Sequence, residues 1–176
     1  MPAIGRERGS VLGELFESLA IAVILAVLIR LFIFQPFFIP SGSMEPTLMT
    51  GDRILVSKLG YYFHEPRRAD VIVFRYPRDE RKAFVKRVIG LPGETVELKD
   101  SRLLINGRPV PEPYLPAGLE FADFGPVKVP PDSLFCLGDN RNLSDDSRVW
   151  GFMPRKNLIG KAVVVYWPLG HLKVVR

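Results

Sequence analysis

Ala83-Phe84-Val85-Lys86-Arg87-Val88-Ile89-Gly90 reads as a β-strand, rich in β-branched and aromatic residues and closed by glycine. Strand alternation puts Phe84, Lys86 and Val88 on one face. A lysine between two apolar neighbours on a strand face is either at a sheet edge or a buried, deprotonated amine. The strand pattern alone favours the edge. Outward from this stretch lie Ile54-Leu55-Val56, Val71-Ile72-Val73-Phe74 and Ala162-Val163-Val164-Val165-Tyr166-Trp167, each bounded by Gly, Pro or charge. Leu103 to Val110 carries Asn106-Gly107 at its centre, the pair that supplies both positive-φ positions of a type I′ hairpin turn. Six prolines fall between Pro111 and Pro131, which suits a loop or a small β excursion better than a sheet centre. No long amphipathic helix follows residue 40. Residues 36–176 are therefore expected to form one compact, mainly β, antiparallel domain with a short Pro-rich excursion at about 111–131.

The segment before it is apolar. Leu19 to Ile29 is eleven residues without a polar side chain, and after Arg30 the run resumes as Leu31-Phe32-Ile33-Phe34. Phe16 to Phe34 as one helix is about 28 Å long, close to a hydrocarbon core of about 30 Å. Gln35-Pro36 is expected to end it. A buried core helix would show a polar face, and this run shows none. A cleaved secretory signal needs small residues just past the apolar run, yet no alanine occurs between Ala26 and Ala69. The expectation is an uncleaved, single-pass anchor, with residues 1–35 as cytoplasmic N-terminus and transmembrane helix. Arg6 and Arg8 precede the span, and only Arg53 occurs in the twenty residues after Phe34. The positive-inside rule then leaves the N-terminus in the cytoplasm and exports residues 36–176.

Composition narrows the chemistry. Of 176 residues, 47% are apolar and 24% charged, which excludes a disordered tail and a polytopic membrane protein. Lys plus Arg (24) exceed Asp plus Glu (19) by five. That surplus suits a surface near anionic headgroups and is too diffuse to indicate nucleic acid. The single cysteine, Cys136, excludes an internal disulfide and a cysteine-built zinc site. His64 and His171 are the only histidines. His64-Glu65 starts a zinc-protease motif, but Arg68 stands where its second histidine belongs. No metal and no cofactor is expected.

Ser41-Gly42-Ser43 on its own is an ordinary turn. A nucleophilic serine needs a base, and both histidines read as solvent-facing. A lysine can replace histidine if burial lowers its pKa from about 10.4, and Lys86 is the lysine set in an apolar strand. Gly138-Asp139-Asn140-Arg141-Asn142-Leu143-Ser144-Asp145-Asp146-Ser147-Arg148 is either a polar turn or a scaffold of carboxylates, hydroxyls and arginines that orients a neighbouring amine.

Taken together, the chain strongly resembles the bacterial type I signal peptidases, membrane-bound serine proteases with a serine–lysine dyad. The resemblance rests on Ser41-Gly42-Ser43-Met44-Glu45-Pro46-Thr47-Leu48, on Lys86-Arg87-Val88-Ile89-Gly90-Leu91-Pro92-Gly93-Glu94, and on Gly138-Asp139-Asn140-Arg141 with Ser144, Asp146, Ser147 and Arg148. These motifs occur in the family's order, behind an anchor in the family's position. It implies Ser43 as nucleophile, Lys86 as general base, and the Ser41 hydroxyl as an oxyanion donor beside the Ser43 N–H. It further implies that Ser144 hydrogen-bonds the Lys86 amine, that Asp139 pairs with Arg87 and Asp146 with Arg148, and that Phe37, Ile39, Met44 and Val85 form shallow substrate pockets. Leu143 stands where relatives often carry a polar residue, and the 111–131 region is short beside the second β-domain of some members.

The activity this implies is removal of signal peptides from exported preproteins, at the extracytoplasmic face of a bacterial cytoplasmic membrane. The implied partners are preproteins, membrane lipid and a nearby export translocon, with no nucleic acid. Two alternatives stand beside it: a dedicated processing protease of the same family, and an inactive tethered β module that binds extended peptides by strand addition.

Overall fold

The computed structural model describes residues 11–176. Arg6 and Arg8, on which the expected topology rests, lie outside the described residues. The chain opens with helix α1 (Val11–Leu28), which continues as a wider π-type turn over Ile29–Ile33. Strands follow as β1 (Phe34–Phe38), β2 (Arg53–Ser57), β3 (Val71–Tyr76), β4 (Asp79–Gly90), β5 (Thr95–Lys99) and β6 (Arg102–Ile105). They continue as β7 (Arg108–Val110), β8 (Phe124–Lys128), β9 (Ser133–Leu137), β10 (Met153–Pro154), β11 (Leu158–Trp167) and β12 (Lys173–Val174).

Helix ends at Ile33, one residue before the expected Phe34. Phe34 is already extended (φ −130°, ψ 142°) and pairs with Ser57, so sheet hydrogen bonds replace helical ones before Pro36 is reached. Pro36 then sits in an edge strand, where its missing N–H is tolerated. Leu15, Phe16, Leu19 and Ile24 of α1 are largely exposed, Phe16 at 75%. Among the described residues, no helix is long and apolar enough to cross a membrane.

The β-strands form two antiparallel sheets. The larger runs β1-β2-β11-β3-β4-β9-β10, with β12 added to β11. The smaller runs β7-β6-β5-β8. Its β6–β7 hairpin turns at Asn106 (φ 52°) and Gly107 (φ 75°), as the Asn-Gly pair requires. The Pro-rich excursion contributes β8 to this sheet and is otherwise irregular.

The β3–β4 register accounts for the core. Val73 faces Val85 and Phe74 faces Phe84 across the ladder, so alternate residues feed opposite sides of the sheet. Ile72, Phe74, Val88, Cys136 and Trp150 fill one cluster. Val71 and Val73 join Ile39, Met44, Leu48, Ile54 and Val56 in a second. Farther along β4, Ile89 packs with Phe135, Leu137, Val96 and Leu98 and so ties the two sheets together. Each such fully buried aliphatic side chain contributes about 1.5–3 kcal/mol. That is the rigidity on which the polar residues of β4 are mounted.

Candidate active site

Lys86 lies on β4, whose neighbours are β3 and β9, so it is not on an outer strand. Pairing with β9 begins only at Arg87, and among the described residues no strand covers the preceding stretch of that edge. Lys86 is therefore the last residue before the edge opens, and it is 3% exposed. The edge reading of the strand pattern gives way to a buried amine at the mouth of an open edge.

Ser43 comes to it from the other side of the sequence. After β1 the chain passes Pro40 and forms a tight 3-10 turn over Gly42–Met44. Met44 anchors the turn by burying its side chain completely in the core. The loop after β9 clamps it from above. Asn140 donates its backbone N–H to the Ser43 carbonyl (3.1 Å) and its Nδ2 to the Gly42 carbonyl (3.1 Å). Gly138 permits this approach, because a Cβ there would stand 2.4 Å from the Ser43 carbonyl oxygen and 2.1 Å from Ser144 Oγ.

With the turn held, Lys86 Nζ donates to Ser43 Oγ at 2.6 Å. The Phe84 ring covers the amine, its centroid 5.6 Å from Nζ. Among the described residues no carboxylate lies within ion-pair distance of Nζ. Burial pushes the Lys86 pKa down to about 8, and the more distant Asp146 and Asp145 oppose that shift without cancelling it. At pH 7.5 such an amine is neutral roughly a quarter of the time, against about one part in a thousand for an ordinary lysine.

Arg87, one residue on, faces the other way and has its charge fully paired. Its Nε and Nη2 donate to both oxygens of Asp139 (2.8 and 2.6 Å) in a fork geometry. Its remaining donors reach the Ala69 carbonyl (2.7 Å), the Arg176 carbonyl (3.0 Å) and Thr47 Oγ1 (3.2 Å). Asp146 accepts from Arg148 Nε and Nη2 (both 2.8 Å) and from the Gly138 N–H (3.1 Å), and caps the helical turn Ser147–Trp150. Both arginine–carboxylate pairs are thus assembled around the loop that touches Ser43.

Two expected placements are corrected. Ser144 Oγ is buried with no hydrogen-bond partner, so the bond to Lys86 is not made. The amine is directed at Ser43, while Ser144 Oγ lies against the Gly138 Cα. Met44 does not line the substrate cleft, because it is spent holding the turn down. Phe37, Ile39 and Val85 do line it, together with Ala83, Phe84, Val73 and Ser41. The cleft measures about 420 Å³ and ends on Ser43 and Lys86. His64 is exposed, and His171 Nδ1 sits 2.7 Å from Asp52 Oδ1; neither lines the cleft.

Sequence reasoning missed Asn140 as a clamp, although it lies within a quoted motif. It also missed Glu112 and Tyr114, which no spacing or periodicity singles out amid the prolines.

A serine hydroxyl against a buried, unpaired lysine amine, at the end of an apolar cleft in an antiparallel β domain, has the layout of a serine–lysine hydrolase. The family described as signal peptidase, peptidase S26, matches residues 12–167. Signal peptidase I of Leptolyngbya laminosa is 48% identical over 171 residues, covering 93% of this chain and 83% of that one. Signal peptidase I S of Bacillus subtilis is 41% identical over 171 residues, covering 91% of each. A signal peptidase I structure from Enterococcus faecalis superimposes with a TM-score of 0.51 at 38% identity, over 56% of this chain and 97% of that one. The chain belongs to the signal peptidase family, peptidase S26.

Proposed function

We propose that the chain is a membrane-tethered serine endopeptidase that removes signal peptides from exported preproteins, with Ser43 as nucleophile and Lys86 as general base. The observation that carries this reading is the 2.6 Å contact between Ser43 Oγ and a lysine amine whose pKa burial has brought to about 8. The neutral amine takes the Ser43 proton as Oγ attacks the scissile carbonyl carbon. The Ser43 N–H and the Ser41 hydroxyl donate to the resulting oxyanion, each contribution typically about 3–4 kcal/mol. The Lys86 ammonium returns its proton to the leaving amine as the C–N bond breaks. A water deprotonated by Lys86 then hydrolyses the acyl-enzyme, releasing a carboxylate and restoring the Ser43 hydroxyl. This scheme uses no metal or organic cofactor.

Substrate placement follows from the open edge of β4. An extended peptide laid beside Ala83–Lys86 has unpaired backbone groups to bond with, and its side chains enter the apolar cleft of Phe37, Ile39 and Val85. The small residues that signal-peptide cleavage sites place next to the cut bond would be accommodated in that apolar cleft.

Residues 1–35 would hold this site at the membrane, with residues 36–176 on the extracytoplasmic face. The apolar exposure of α1 supports the anchor, since a helix bare on all sides needs a nonaqueous surrounding. Nine residues separate Ile33, the last helical residue, from Ser43, so the nucleophile lies within about 35 Å of the helix end even on a fully extended link. Membrane lipid and preproteins emerging from an export translocon would then be its surroundings.

The test is incubation of the detergent-solubilised protein with a preprotein, beside Ser43→Ala, with the N-terminus of the product sequenced. A single cut after a small residue, absent in Ser43→Ala, is expected. Equal cleavage by the variant would remove Ser43 from the mechanism.

A further inference from the structure

The excursion after β7 reaches back across the molecule to the loop that clamps Ser43. Glu112 accepts from Arg141 Nη1 at 2.9 Å and from its Nη2 as well, making a forked pair in which the arginine side chain is wholly buried. Tyr114 donates its hydroxyl to Glu112 Oε1 (2.5 Å) and lays its ring against the Arg87 guanidinium, 3.8 Å from Cζ to the ring centroid. Phe121 covers the Arg141 guanidinium at 5.1 Å, and the Glu120 carbonyl accepts from Asn142 Nδ2 (2.9 Å). Four residues of one irregular segment therefore grip Arg87, Arg141 and Asn142, which hold or belong to the loop after β9.

The two arginines lead directly to the nucleophile. Arg141 donates Nε to the Gly138 carbonyl (3.3 Å), and Arg87 holds Asp139. Between them Gly138 and Asn140 press on Ser43 and its turn. The second sheet has no other evident part in the chemistry, since the cleft is lined by none of its residues. Burying a glutamate opposite a buried arginine is a costly way to fasten a mere surface loop.

We propose that segment 112–121 is a positioning strap for the reaction, with Glu112 and Tyr114 as positioning residues that act through Arg141 and Arg87 on the Gly138–Asn140 loop. The strap fixes where Ser43 Oγ stands relative to Lys86 Nζ and touches neither the substrate nor the reacting atoms. It rests on the assignment of Ser43 and Lys86 given above. A displacement of about 1 Å in a reacting group costs about 10²-fold in rate, with little effect on the cleft that binds the peptide.

The experiment measures kcat and KM for preprotein cleavage by the full chain and by Glu112→Gln, Tyr114→Leu and Val110→Ala, with the thermal unfolding midpoint of each. Val110 packs on the second-sheet core and makes none of the contacts above, so Val110→Ala is a control for lost stability. The strap is supported if folded Glu112→Gln loses about 10- to 100-fold in kcat with KM within about twofold, while Val110→Ala keeps its kcat. It is overturned if either folded strap variant keeps kcat within about twofold, if the loss falls on KM alone, or if Val110→Ala loses as much kcat at equal stability. Should Glu112→Gln fail to fold, Tyr114→Leu decides by the same criteria. Ser43→Ala separates the two ideas: if it stays active the assignment of the dyad fails, whereas an inactive Ser43→Ala beside a fully active Glu112→Gln removes only the strap.

Discussion

Lys86 and Arg87 are neighbours on one strand, both buried, and the protein handles their charges in opposite ways. Arg87 meets a bidentate carboxylate, three further acceptors and an aromatic ring, so its charge is fully compensated. Lys86 meets a hydroxyl and a phenyl ring. Pleating sends the two side chains to opposite faces of β4, which lets environments this different sit about 3.8 Å apart along the backbone. A buried cation with its counterion stays a cation and braces. A buried cation without one is pushed toward neutrality and becomes a base.

The comparison breaks most visibly at Lys86. In Lys86→Met the cleavage rate should fall by about 10² to 10⁴-fold from loss of the base alone, with folding improved. The sign of the stability change follows from the lowered pKa. Between about 8 and 10.5 the unfolded chain binds a proton at this position that the folded chain does not, so burial of Lys86 costs most below pH 8 and nothing above 10.5. Removing it should therefore stabilise the protein by about 3 kcal/mol at pH 6 and by little at pH 10.5, read from denaturant unfolding at the two values. A variant that is inactive and less stable at pH 6 would mean that Lys86 is charged and paired like its neighbour. Lys86→Arg cannot substitute, since a guanidinium stays protonated.

Arg87 should behave in the reverse sense. Arg87→Met leaves Asp139 buried without its partner, and the expected loss is about 3–5 kcal/mol of folding stability. The double variant Arg87→Met with Asp139→Leu should recover most of that loss, since an apolar pair of similar volume leaves no buried charge. Equal instability of single and double variants, measured by urea unfolding, would show that the remaining Arg87 contacts matter more than the ion pair.

How much of this was readable beforehand divides along the same line. Alternation along Phe84–Ile89 and the Asn106-Gly107 turn announced their strands, because side-chain period and positive φ are local properties. The two faces of β4 were legible too. Whether Lys86 was an edge residue or a buried amine was not, because that depends on where β9, far along the chain, stops pairing. Local rules misplaced the end of the helix, since pairing of Phe34 with Ser57 overrides the proline two residues later. The family resemblance put Met44 in the cleft; the 3-10 turn sends it inward instead. The grip of Glu112 and Tyr114 on Arg141 and Arg87 left no mark in the sequence, as contacts between irregular segments have no period.

The finest adjustment of the contrast concerns the carboxylates that Lys86 keeps at a distance. Asp145 lies on the rim of the cleft, exposed to solvent, and its charge favours the ammonium form of Lys86. The substitution Asp145→Asn removes that support, so Lys86 loses its proton at lower pH. In the wild-type protein kcat/KM should rise with pH through about 8 and level off above it. In Asp145→Asn the same rise should begin at lower pH, raising the rate at pH 7 by no more than about fivefold, the range for an exposed charge interaction. High salt should shrink the difference between the two proteins, because a rim charge is screened where a buried one is not. A rise displaced to higher pH, or no displacement at low salt, would mean that Asp145 does not act on the Lys86 amine through its charge.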